Sequence, residues 1–341
     1  KALDELPEIW VIENTEELTK LKKLIIEEKE LAFFQLLDSK DVLHLKLAAI
    51  AVSINRERLA YIMINSSLSE QSFLNEFREI FEDTSIHKTG HETKTFYRYL
   101  KLNGIDLQGL VFDTMLAAYI VNPSRSTYST AELSAEYLNK NIKSMEELSG
   151  KGKNFRTFEE ISHPELIPAS VDHVSAICGL CDIFRKIIAE TGQEELYYNI
   201  ELPLVEVLAD MEYRGFKLNI DCLKVISEEL EEKINGVTTE IYSIVGEEFN
   251  INSPKQLGLI LFEKLGLPVL KKTKTGYSTN AEVLEQLEPK HEIISKILEY
   301  RQMVKLKSTY VEGLINVVND STGRVHSSFN QTVTATGRIS S

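Results

Sequence analysis

The hydrophobic period of this chain switches near residue 194, from strand-like runs alternating with helices to helices alone. Upstream, Ile9–Ile12, Leu31–Leu36, Leu47–Ile54 and Leu59–Met63 are short apolar runs of the kind that form buried strands. Thr15–Glu28 and Glu70–Phe81 between them have helical spacing, and Leu107–Ile120 reads as a strand entering a helix at Asp113. Gly150–Arg156 reads as a loop. Downstream, Leu223, Ile226, Leu230, Ile234, Val237, Ile241 and Ile244 recur every three or four residues, one apolar stripe on a long helix. Two separately cored regions follow: an α/β domain over 1–190 and a helical region over 191–318. A short tail over 319–341 contains the turn Asp320–Gly323, after which the pattern becomes strand-like with Val325–Phe329. At 341 residues the chain is long enough for this division.

Charge follows the same division. The whole chain carries −14, which argues against nucleic acid as a partner until it is split. Residues 251–341 hold 12 Lys and Arg against 8 Asp and Glu, and residues 1–250 hold 26 against 44. The last quarter is therefore locally positive, and phosphate contact depends on local cations rather than on the total.

Four segments concentrate hydrogen-bond donors there. INSPKQLG (251–258) has Ser253 as a helix cap, Pro254 in the first turn and Gln256 placed to reach back. KKTKTGYST (271–279) is basic and hydroxyl-rich, and Thr279 with Glu282 repeats the capping pattern. YRQMVKLKSTYVEGL (300–314) lies in a helical stretch over 291–317. FNQTVTATGRISS (329–341) combines neutral donors with one arginine beside a glycine.

In this order the four segments resemble the family A DNA polymerases of bacteria. GIDLQGLVFDTMLAAYIVNP (104–123) extends the likeness into the region that proofreads in that family. The resemblance implies a ribonuclease H-like exonuclease-type α/β domain with a mixed sheet, then an all-α thumb, then the first strands of the palm. It places the chain in the first half of the large fragment, ahead of the palm carboxylates. The implied partner is double-stranded primer–template DNA, together with the palm and fingers portion of the polymerase. Magnesium is implied for the parent polymerase and no cofactor for this chain, which by itself is expected to incorporate no nucleotide.

By the same resemblance, Asn252, Ser253, Lys255, Lys271, Lys272, Thr273, Lys274, Thr275, Ser278, Lys305, Lys307 and Ser308 contact the duplex backbone. Gln331, Thr334, Thr336 and Arg338 lie at the minor groove. That groove presents purine N3 and pyrimidine O2 acceptors in nearly equivalent places, so an arginine there grips without choosing a base. The proofreading centre of the family holds two metals on clustered carboxylates. Here Phe34 and Leu36 stand at the first-strand pair, Phe96 at the second motif, and Asp172 alone keeps a carboxylate. The expectation is a proofreading fold without metals or activity. Asp38, four residues past Phe34, is the competing alignment, and Asp113 reads as a helix cap.

Other features carry no site. Cys178 and Cys181 sit in an apolar run without a second ligand pair, which favours buried structural thiols. His87, His91 and His173 share no ligand spacing, and the acidic run at 228–232 reads as a solvated helix face. Three cysteines and no signal-like or spanning segment fit a cytoplasmic protein. Two other functions compete: an active 3′–5′ exonuclease of the ribonuclease D type, and a non-catalytic interaction module.

Overall fold

A computed structural model describes residues 9–56, 58–273 and 276–341. The chain divides into two compact units, residues 1–215 with 326–341, and residues 216–325. The first boundary falls after Gly215 rather than at 190. Residues 194–214 bury Tyr197, Leu202, Val205 and Ala209 in the cores of the first unit, so they belong to it despite their helical period.

The first unit is built on a six-stranded sheet, ordered β1 (Ile9–Ile12), β4 (Arg58–Met63), β3 (Leu45–Ile54), β2 (Glu30–Ser39), β5 (His87–Gly90), β6 (Leu110–Asp113). The pairs β4–β3 and β3–β2 are antiparallel and the other three are parallel, so the sheet is mixed. Helices α1 (Thr15–Glu28), α2 (Glu70–Glu82) and α3 (Thr93–Leu102) cover one face, packing on Leu31, Phe33, Ile50 and Val52. Strand alternation sends Ala32, Phe34, Leu36 and Ala49 to the other face.

That second face is covered by α7 (His163–Glu190), which follows α4 (Thr114–Val121), α5 (Thr130–Tyr137) and α6 (Met145–Ser149). By length and apolarity α7 would pass for a membrane span, contrary to the sequence expectation. Its apolar side chains are instead used in the core: Leu166, Ala169, Val174 and Ile177 on the sheet, and Leu180, Phe184 and Ile188 beside α4. A short α8 (Glu194–Leu196) continues through a π-helical turn into α9 (Leu202–Arg214).

The second unit is mainly helical. It contains α10 (Ile220–Val245), α11 (Pro254–Gly258), α12 (Ala281–Leu287), α13 (Glu292–Lys305) and α14 (Gly313–Asn316). Two ribbons accompany them, β7 (Phe216–Lys217) with β10 (Arg324–Val325), and β8 (Lys272–Thr273) with β9 (Gly276–Tyr277). The stripe on α10 is buried only at Ile234, Val237 and Ile241, with Val245 beside it; Ile244 is half-buried. Ile226 is exposed and Leu223 half-buried within this unit, so the long stripe exceeds the core available to it. Of the expected strand Val325–Phe329 only Val325 is in a strand, as the second residue of β10.

Candidate nucleic-acid interface

On the α7 face of the first unit, Leu36 is fully buried and Phe34 nearly so. The Phe34 ring lies flat on the His173 imidazole, with centroids 4.5 Å apart and planes 8° from parallel. His173 Nε2 donates to the Lys143 carbonyl at 3.1 Å. Asp172, the neighbouring carboxylate, turns outward to Lys140 at 3.0 Å and is half-exposed. Asp38 is occupied as well, accepting from the backbone N–H groups of Phe158 and Glu159.

Phe96 does not join this group. It packs on Phe33 at 4.9 Å and on Phe81 at 5.4 Å, in the core on the opposite face of the sheet. Linear spacing matched it to the second motif, but the turn of α3 directs it away from Phe34. Asp113 is a cap, as read: one oxygen accepts from Met115 and Leu116 N–H, the other from Thr93 N–H and hydroxyl. Among the described residues no group of three His, Cys, Asp or Glu side chains could hold a metal ion. The residues at this site therefore do not fit the metals implied by the resemblance. Cys178 and Cys181 are free thiols, and burial pushes Cys181 up to about 11, the behaviour of a structural cysteine.

Burial lowers the pKa of His173 to about 4, so the ring is neutral in the folded protein at pH 7. Unfolded histidine titrates near 6.5, and between these values only the unfolded chain takes up the proton. Its stabilising contribution is complete above pH 6.5 and is lost as pH falls toward 4. The wild type should lose about 2–3 kcal/mol over that window from this group. His173→Gln should show a correspondingly flatter fall in urea midpoint between pH 7 and 4.5.

In the second unit, a cavity of about 790 Å³ is lined by Ser253, Lys255, Thr273, Tyr277, Ser278, Asn280 and Arg301, among others. Four residues expected at the duplex backbone, Ser253, Lys255, Thr273 and Ser278, thus meet around one space. Ser253 caps α11 by accepting from Gln256 N–H, but Gln256 Oε1 reaches Asn250 N–H at 2.7 Å rather than the cap residue. The next cap is Asn280, not Thr279. Thr279 is buried instead, its carbonyl and hydroxyl accepting from the Arg301 guanidinium. Asn252 donates to the Tyr300 hydroxyl at 2.9 Å.

Lys271, Lys272 and Thr273 are exposed, and the Lys272 ammonium lies 5.6 Å from the Tyr277 ring centre. Lys274 and Thr275 lie outside the described residues. Lys305 and Ser308 are exposed, with the Ser308 hydroxyl donating to the Val304 carbonyl. Lys307 is ion-paired in this structure, with Glu231 at 3.0 Å and Glu312 at 2.6 Å. Arg301 and Asn280 were not singled out as site residues. Their signal was the placement of Arg301 in the YRQ segment and of Asn280 at the end of the basic loop.

In the first unit the chain returns as a closed loop, Asn330 and Ser340 exchanging backbone hydrogen bonds at 2.7 and 3.0 Å. Gly337 takes a left-handed φ of 75°, which turns the chain just before Arg338. Thr336 and Arg338 are exposed at the tip. Gln331 is buried and its amide donates to the Glu201 carbonyl and carboxylate, while the Thr334 hydroxyl donates to the Arg338 carbonyl. The latter two residues build the loop rather than present donors outward.

Residues 220–341 match the family model of DNA polymerase family A, and residues 38–175 that of the DNA polymerase I ribonuclease H-like domain. DNA polymerase I of Geobacillus stearothermophilus is 41% identical over 298 residues, covering 87% of this chain and 33% of the relative. DNA polymerase I of Bacillus subtilis is 44% identical over 266 residues, covering 78% and 30%. The chain thus spans about a third of the length of these curated relatives. Among solved structures, the POL domain of Pol1 from M. smegmatis, in complex with DNA primer-template and dNTP, superposes with a TM-score of 0.74. That likeness carries 28% identity and covers 97% of this chain and 54% of the other.

Proposed function

Because this chain belongs to the family A DNA polymerases, we propose that it is the part of a DNA polymerase I that holds primer–template duplex. The gathering of Ser253, Lys255, Thr273 and Ser278 around one cavity beside an exposed basic loop carries this reading. Lysines and hydroxyls of this kind position a duplex by its phosphates without reading sequence. Arg338, exposed beyond a glycine turn, supplies the contact common to every base pair. The activity of the longer protein is then DNA-directed nucleotidyl transfer in replication and repair, in the cytoplasm. Its palm and fingers portion carries the magnesium and the reacting groups.

The proofreading domain acts as a scaffold in this account. The closed apolar face at Phe34 and Leu36 offers a metal no ligand, so the ribonuclease D-type reading finds no support in the chemistry of the described residues. Replacing Lys255, Lys271 and Lys272 together by Ala tests the phosphate grip. The slope of log K for a 20-base-pair duplex against log salt should shrink by about 2–3, one unit or slightly less per lost phosphate contact. An unchanged slope would remove these lysines from the interface.

A further inference from the structure

The buried carboxylate of Glu212 has no part in the grip described above, yet three groups converge on it. Glu212 lies on α9 and is fully buried. Arg98 and Lys94, both on α3, pair with its two carboxylate oxygens. The Phe329 N–H donates to the same carboxylate at 2.8 Å, and Lys94 also donates to the Phe329 carbonyl. His326 Nδ1 lies 2.9 Å from the Glu212 backbone carbonyl, the geometry of an N–H donor. Both backbone polar groups of Phe329, the residue that opens the Asn330–Ser340 loop, are thus tied to one charge cluster.

We infer that Glu212 is a positioning residue whose pairing with Lys94 and Arg98 anchors the Asn330–Ser340 loop so that Arg338 is presented to the duplex; this rests on the duplex-binding reading. A buried carboxylate shared by two cations is a demanding arrangement, tolerated where every lone pair is used. Here the uses run outward to the loop. The Tyr119 hydroxyl donates to the Thr334 carbonyl at 2.8 Å, and Gln331 donates to Glu201, so the loop is tied at three places. The tip carrying Thr336, Gly337 and Arg338 is exposed, and its direction is set by these ties.

Glu212→Gln keeps the shape and one acceptor but leaves the buried Arg98 and the partly buried Lys94 facing each other without a counter-charge. Hydrogen exchange should show the Phe329, Asn330 and Ser340 amides losing protection roughly ten-fold or more, with the central strands β2 and β3 unchanged. Affinity for a labelled 20-base-pair duplex should fall roughly five- to ten-fold, and the same change in an Arg338→Ala background should add almost nothing. A role in fold stability alone would not produce that non-additivity. Retained amide protection, or losses that add in full, would overturn the proposal. Unchanged affinity in Arg338→Ala alone would overturn the duplex reading, and the positioning role with it, whatever the amides show. Should Glu212→Gln fail to fold, the double variant Tyr119→Phe, Gln331→Ala cuts the other two ties, and the same outcomes decide.

Discussion

Restoring carboxylates to the first unit, as Phe34→Asp with Leu36→Glu, should cost this domain roughly 4 kcal/mol or more and yield no metal site. Both side chains are buried against α7, and Leu36 has no solvent contact. The Phe34 change removes the ring stacked on His173 and leaves a cavity, and each new carboxylate loses its hydration. The other candidates for metal ligands are committed elsewhere: Asp172 to Lys140, Asp38 to two backbone N–H groups, Asp113 to its helix cap and Thr93. Urea unfolding with and without manganese should give the same low midpoint. A manganese-dependent rise in midpoint, or release of nucleotides from labelled single-stranded DNA, would mean that a metal centre survives in this fold.

Arg338→Ala should weaken duplex binding by roughly 5- to 150-fold, the range expected for one charge-assisted contact of about 1–3 kcal/mol to base edges. The loss should be nearly equal for duplexes of unrelated sequence, because minor-groove acceptors are shared by all base pairs. Thermal stability should not change, since Arg338 is exposed and its residue's structural bond is made by the backbone carbonyl to Thr334. Equilibrium titration by fluorescence anisotropy gives both quantities. A loss confined to one sequence would assign Arg338 to specific readout and remove it from a general grip.

The strands with apolar runs were legible because burial on both faces writes a nearly continuous apolar pattern into β2 and β3. Strand β5 was not, because its sequence is His-Lys-Thr-Gly. Its Lys88 is nonetheless fully buried, with its ammonium on the Asp83 carbonyl and burial lowering its pKa to about 8. Motif order located the basic loop and the arginine turn, but spacing along a chain does not tell which way a helix face points. Phe96 lies on the face opposite Phe34, and no local pattern shows that two glutamates share the Lys307 ammonium. Gln331 and Thr334 look like outward donors by type, while the loop needs them for its own closure. The Glu212 cluster left no local signal, since its cationic partners lie 114 and 118 positions away.

The most direct test of the account is a titration of the 341-residue chain against labelled 20-base-pair duplexes of unrelated sequence at several salt concentrations. One common affinity is expected at each salt, falling linearly on logarithmic axes as counterions are released. Absence of duplex binding at low salt, or an affinity that depends on sequence and not on salt, would contradict it.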